Sequence, residues 1–288
     1  MIELAFVTCS RLPDLHDDDA RTAEVLRSRG VSVGAAVWDD PSVNWTRFDS
    51  AVIRATWDYH LEPERYAAWL RRCAADGVNL WNPPATVLEN MNKRYLADLA
   101  GAGVEVVAME YLERSRPQSL RTMLERHGWS RAVVKPAISA SAFGTWRTSL
   151  ERADLDQSRL EREVVERSLL VQPFADEIVA QGEWSLIFFA GEYSHAVLKR
   201  PADGDFRVQE ELGGHAVACH PASELIEQAR SILARVPGPL LYARVDGIER
   251  GGQLVLMEVE INEPFLYLGS SPWAAVRFAD AIMGVARN

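Results

Sequence analysis

The chain has 288 residues, 48% of them hydrophobic and 25% charged, with a formal net charge of -10. That is the composition of a folded, water-soluble protein, long enough to bury roughly 75% of its unfolded surface without disulfides or a structural metal. The acidic balance argues against nucleic acid as the main partner, because phosphate backbones are held by clustered Lys and Arg. It leaves room for a small anion held by a few local cations.

The first fifteen residues carry a short apolar run without a basic flank or cleavage site, so they read as a first strand and not as a signal peptide. Ile2–Thr8 is that strand, and Asp19–Arg29 is an amphipathic helix closed by Gly30. Val31–Trp38 and Ser50–Arg54 follow as strands, Glu62–Asp76 as a helix and Val78–Trp81 as a short strand. Such alternation predicts a parallel sheet with helices on its faces, and ligands beyond the carboxyl ends of its strands. Arg54, Trp57 and Asp58 fall there as candidate substrate contacts, or as a surface turn.

Asn82-Pro83-Pro84 breaks the pattern and predicts a domain boundary. Beyond it, Thr86–Gly101 reads as a helix carrying Lys93. Val104–Tyr111, Ala132–Lys135 and Leu169–Gln172 read as strands around a helix at Ser119–His127, and Glu151–Arg167 as an exposed helix. From Glu183 onward strands alternate with one clear helix, Ser223–Arg235, before a strand at Leu254–Ile261 and a last helix at Trp273–Ala286. No run of 18 apolar residues exists to cross a membrane as a helix. Cys9, Cys73 and Cys219 are odd in number and without metal spacing, which suits reduced thiols in a cytoplasmic enzyme.

Three segments carry chemistry. In Val133-Val134-Lys135-Pro136 a lysine ends an apolar strand, where an unpaired ammonium is costly unless an anion faces it. Ser139–Thr145 follows, a run of small residues around Gly144 that lets backbone N–H groups approach phosphate oxygens. Each also has a bland reading, a structural lysine or an ordinary loop; together they suggest a nucleotide site. Neither GxxxxGK[ST] nor an early GxGxxG is present, which disfavours the two common nucleotide folds. Far downstream stand Asp246 and the strand residues Glu258, Glu260 and Asn262. Alternation puts the last three on one face, and such clustered oxygens repel one another unless a cation such as Mg²⁺ is present. Asp246 is expected on the neighbouring strand, across a turn at Gly251-Gly252.

These ordered motifs resemble the ATP-grasp superfamily, in the branch of bacterial glutathione synthetase, over roughly residues 80–270. The resemblance implies an α/β (α+β) architecture: an N-terminal Rossmann-like parallel-sheet domain at 1–83, a central lid subdomain at 84–174 and a C-terminal subdomain at 175–288, the last two clasping ATP. It implies that Lys93, Lys135, Ser139, Ser141, Gly144, Gln172, Pro173, Phe174, Glu177 and Lys199 hold the nucleotide. Asp246, Glu260 and Asn262 are the implied ligands of two Mg²⁺ ions, with Glu258 a further candidate. Arg207 and Arg244 would steady the transferred phosphoryl group, and Arg200 and Glu263 would join the substrate contacts. Glu263–Gly269 departs from the small-residue loop of relatives. Gly182-Glu183-Trp184-Ser185 and Ser194–Pro201 are similar to the D-cycloserine-forming branch, whose enzyme cyclises O-ureido-D-serine. The implied activity is phosphorylation of a carboxylate followed by amine attack on the acyl phosphate, on a small amino-acid-like substrate, in a homodimer. A two-substrate ligase and a non-catalytic nucleotide-binding protein remain open. His16 stays undecided between site and scaffold, and His195 reads as a histidine paired within its sheet.

Overall fold

The computed structural model describes residues 2–202, 204–209 and 212–285. Strands β1 (Glu3–Thr8), β2 (Ser32–Val37), β3 (Ser50–Ala55) and β4 (Leu80–Trp81) form the expected parallel sheet in the order β2-β1-β3-β4. Helices α1 (Asp17–Ser28) and α2 (Pro63–Ala75) connect them. β1 is apolar on both faces because both are covered. Leu4 and Phe6 join Leu26 of α1 in one core, while Ala5 and Val7 join Tyr66, Trp69 and Leu70 of α2 in another.

The single helix expected at Thr86–Gly101 is two, α3 (Pro84–Asn90) and α4 (Tyr95–Gly101). The break has a local cause. The Lys93 N–H donates to Ala137 O (2.9 Å) instead of a helical carbonyl, and the Asn92 carboxamide accepts from Arg94 N–H (3.0 Å). The strand expected at Val104–Tyr111 is likewise divided. Its first half bridges to Leu256, and only β5 (Glu110–Leu112) joins the second sheet. That sheet is antiparallel, in the order β5-β8-β6-β7, with β6 (Arg131–Pro136), β7 (Trp146–Ser149) and β8 (Leu169–Pro173). Helices α5 (Leu120–His127) and α6 (Ala153–Glu166) cover it through Leu120, Leu124 and Leu160.

After α7 (Asp176–Ala180), β9 (Glu183–Phe189), β10 (Glu192–Arg200), β11 (His215–Ala218), β12 (Tyr242–Arg250) and β13 (Gln253–Glu260) build a third, antiparallel sheet. Its order is β11-β10-β9-β12-β13. Gly251 and Gly252, at φ 59° and 79°, make the β12–β13 turn, a conformation that glycine adopts without penalty. Helix α8 (Ser223–Leu233) and α4 pack on one face. On the other, α9 (Ala274–Val285) and the N-terminal sheet share a core containing Phe6, Phe189, Tyr242 and Phe278. Ala286, the expected end of this last helix, lies outside the described residues. Buried Asn82 ties the two regions: its amide donates to Tyr242 O (2.9 Å) and Ile261 O (2.7 Å) and accepts from Leu241 N–H (2.7 Å). Among the described residues no helix is long and apolar enough to cross a membrane.

Candidate active site

A cleft of about 430 Å³ opens where the second and third sheets face each other, with residues following β1 and β3 at one end. Its polar floor is written across the third sheet. Register places Lys199 opposite Glu183, Ser185 opposite Asp246, Asp246 opposite Glu258, and Arg244 opposite Glu260. Strand alternation turns these side chains to the cleft.

Asp246 is the hub of this row. It accepts from Ser185 Oγ (2.6 Å), Lys199 Nζ (3.1 Å) and Arg244 Nε (2.9 Å) and Nη2 (2.8 Å). Burial opposes its ionisation, yet Arg244 and Lys199 outweigh that and hold the carboxyl well below the usual range. Lys199 also donates to Glu183 (2.6 Å); its burial is outweighed by Asp246 and Glu183, which keep it protonated. Arg244 further donates to Glu260 and to Phe265 O (2.9 Å). Burial, aided by neighbouring Asp246 and Glu258, pushes Glu260 up to about 7, and burial with Glu260 nearby pushes Glu263 to about 8. A site that raises two acids in this way is short of positive charge at that edge.

Opposite the carboxylates, Lys93 pairs with Glu258 (3.0 Å) and donates to Ser139 O (2.9 Å), fastening the small-residue loop. Lys135 lines the same cleft and has no ion pair among the described residues; burial lowers its pKa. Ser139 and Ser141 line the cleft beside it. Gly144 does not, but at φ 67° an added Cβ would stand 2.9 Å from Pro136 Cγ, so its backbone shapes the loop. Gln172, Pro173 and Phe174, at the end of β8, border a chiefly apolar end with Val107, Val133 and Met257. A flat aromatic base fits such a slot, with main-chain groups of the crossing strand to read its edge.

Oxygen donors for a cation are present at Glu258, Glu260 and Asn262, all lining the cleft. Asn262 Oδ1 accepts from Tyr66 (2.7 Å), while its buried Nδ2 has no partner among the described residues. Turning the amide over would put an oxygen where that nitrogen sits, and the Thr56–Tyr66 pair can reverse its hydrogen bonds to suit. Among the described residues no three His, Cys, Asp or Glu side chains form a metal cage by themselves. That suits Mg²⁺, which commonly takes one or two carboxylates and completes its shell with phosphate oxygens. Asp246, its oxygens engaged by two cations, is a less open ligand than Glu260 or Glu258.

Arg207, Trp57 and Glu263 also line the cleft; Arg207 is held by Asp205 (2.8 Å). Besides Gly144, four residues expected in the site stand outside it. Glu177 turns to Arg250 (2.8 Å) on the exterior. Arg200 is exposed, because alternation gives the cleft to its neighbour Lys199. Arg54 is buried between Asp19 (2.8 Å) and Pro264 O (2.9 Å), and Asp58 accepts from Trp38 Nε1 (2.9 Å). His195 is paired, but not within its sheet as expected: its ring bonds Leu266 O (2.8 Å) in the loop after β13 and Ser194 Oγ (2.9 Å) beside it in the chain. Glu183 and Ser185 belong to the site without having been singled out for it, since only cross-strand register brings them to Lys199 and Asp246.

Residues 4–82 match the family described as the N-terminal domain of the D-cycloserine synthetase DcsG. The cycloserine biosynthesis protein DcsG of Streptomyces lavendulae is 30% identical over 297 aligned positions, covering 97% of this chain and 97% of that protein. The crystal structure of D-cycloserine synthetase DcsG superposes with a TM-score of 0.87 at 27% identity, over 99% of both chains. The D-alanine–D-alanine ligase of Bacillus anthracis in complex with ATP gives 0.72 at 15% identity, over 100% of this chain and 98% of that one, a likeness of fold. The chain thus belongs to the D-cycloserine synthetase family and is an ATP-dependent ligase of the ATP-grasp fold that forms a C–N bond.

Proposed function

We propose that this ligase acts on one small substrate, O-ureido-D-serine, phosphorylating its carboxylate and letting a tethered nitrogen close the ring of D-cycloserine. The observation that carries this reading is the half-buried ammonium of Lys135, without an ion pair among the described residues and set in one cleft with Lys93, Arg244 and the carboxylates of β13. An unpaired cation here is stabilised by an anion from outside, and the ATP phosphates supply one.

A carboxylate is a poor electrophile until one oxygen becomes a leaving group. Lys93 and Lys135 would hold the phosphate chain, and backbone N–H groups of residues 139–145 would close over it. Gln172–Phe174 would seat the base. Glu260 and Asn262, with Glu258 or Asp246, would hold two Mg²⁺ ions, which when bound neutralise phosphate charge and orient the terminal group. Arg244 would face the acyl phosphate, with Arg207 beside it once released from Asp205. The nitrogen bonded to the side-chain oxygen then attacks the acyl carbon and gives up its proton as inorganic phosphate leaves; the carbamoyl group on that nitrogen departs with water as carbon dioxide and ammonia to give D-cycloserine. Because nucleophile and electrophile share one molecule, an effective molarity of about 10⁵ M or more replaces the binding of a second substrate. The family match along the whole chain supports this substrate; the acidic chain and its lack of a membrane-crossing helix among the described residues suit a small polar one.

Phosphate release from ATP and Mg²⁺, with O-ureido-D-serine as the sole amino acid, tests the proposal when the product is identified by mass. A cyclic product is expected. Turnover that requires a second amino acid, with none from O-ureido-D-serine alone, would instead establish a two-substrate ligase.

A further inference from the structure

The end of the cleft beneath β1 and β3 carries a histidine that phosphoryl transfer leaves unused. His16 lines the cleft and caps α1, its Nδ1 accepting from Asp18 N–H (3.2 Å). A ring nitrogen that accepts carries no hydrogen, so the neutral imidazole bears its proton on Nε2. The ring is fixed edge-on between two aromatics: its centroid lies 5.2 Å from Trp57 at 69° and 5.3 Å from Phe265 at 84°. Trp57 is pinned in turn by its Nε1, which donates to Glu263 O (2.9 Å). The result is an oriented N–H donor whose Nε2 has no protein partner among the described residues. Arg54 in β3 and Asp58 just after it are committed elsewhere, and Glu263 and Tyr267 also line the cleft.

We infer that His16 is a positioning residue that donates from Nε2 to the carbonyl oxygen of a planar, uncharged tail on the substrate, held against Trp57 and Phe265. The inference rests on the substrate reading above and assigns the part of the site that distinguishes the tail. One neutral donor between aromatic rings satisfies a carbonyl oxygen but does not compensate a full charge, so an amide, carbamoyl or ureido group fits there better than a second carboxylate. Phosphoryl transfer takes place at the carboxylate and needs nothing from His16 beyond registering the substrate; the same hydrogen bond orients the tail whose nitrogen attacks the acyl carbon.

His16→Asn tests this, because asparagine is among the best helix N-caps and keeps α1 closed while removing the Nε2 donor. Calorimetric binding of O-ureido-D-serine would be measured with Mg²⁺ and a non-hydrolysable ATP analogue present. The variant is expected to bind it about three- to tenfold more weakly, the loss of one neutral hydrogen bond. Affinity for the ATP analogue, melting temperature and inhibition by D-serine, which lacks the tail, should all be unchanged. Equal affinity in variant and wild type would overturn the assignment, and so would a loss shared with the analogue or with D-serine. A wild-type protein that does not bind O-ureido-D-serine at all would remove the substrate reading and this inference with it. That outcome is distinct from one in which wild type binds and the variant binds equally.

Discussion

Lys135 and Glu260 line the same cleft, Lys135 without an ion pair among the described residues and Glu260 paired with Arg244. Burial lowers the Lys135 pKa, while Glu260 is pushed up to about 7 by burial and by the carboxylates of Asp246 and Glu258, which Arg244 and Lys199 only partly offset. Lys135→Ala and Glu260→Ala should therefore each lower ATP turnover about a hundredfold or more. Circular dichroism should match wild type, showing that the fold is kept; wild-type-like turnover in either variant would contradict the assignment. A pH effect follows from the same acids. Glu260 at about 7 and Glu263 at about 8 lie above their ordinary 4.5, so the folded state binds more protons than the unfolded chain in that window. Their contribution to stability is complete below 4.5 and is lost as pH rises through about 8. The melting temperature of metal-free protein should fall across that range, and Glu263→Gln should flatten the fall. A variant with the wild-type slope would show that Glu263 is not the source.

At the scale of elements, the small-residue loop and the β12–β13 hairpin were legible because their signals are local. Glycine in a tight turn and polar residues alternating on an apolar strand need no partner to be recognised. The interruption between α3 and α4 was not, since it depends on the Lys93 N–H leaving the helix for Ala137, a contact 44 residues away in the chain. Nor were Glu183 and Ser185, whose meaning arises from register, or the outward turn of Glu177 towards Arg250. Gly144 offers a test of the loop. Alanine there is strained at φ 67° and meets Pro136, so Gly144→Ala should raise the KM for ATP about tenfold. An unchanged KM would mean that the loop does not shape the phosphate site.

Across the whole molecule, the parallel first sheet was readable from strand–helix alternation, whereas its fusion with the third sheet through α9 was not. Asn82 joins these regions by hydrogen bonds to Leu241, Tyr242 and Ile261. Asn82→Ala would leave buried backbone groups without partners, at roughly 1–3 kcal/mol each. A clearly lower urea midpoint is expected, and a midpoint equal to wild type would show that the junction holds without it. Closure of the second sheet over nucleotide is a further expectation, and scattering profiles identical with and without Mg²⁺ and ATP analogue would count against it.

Activation of the substrate carboxylate by phosphorylation leaves an isotopic trace: O-ureido-D-serine carrying heavy oxygen in its carboxylate would be turned over with ATP and Mg²⁺ and the released phosphate weighed by mass spectrometry. One heavy oxygen is expected in each phosphate released, because the oxygen that accepts the phosphoryl group departs with it. Phosphate released without the label, while product still forms, would contradict an acyl phosphate and with it the mechanism derived from this cleft.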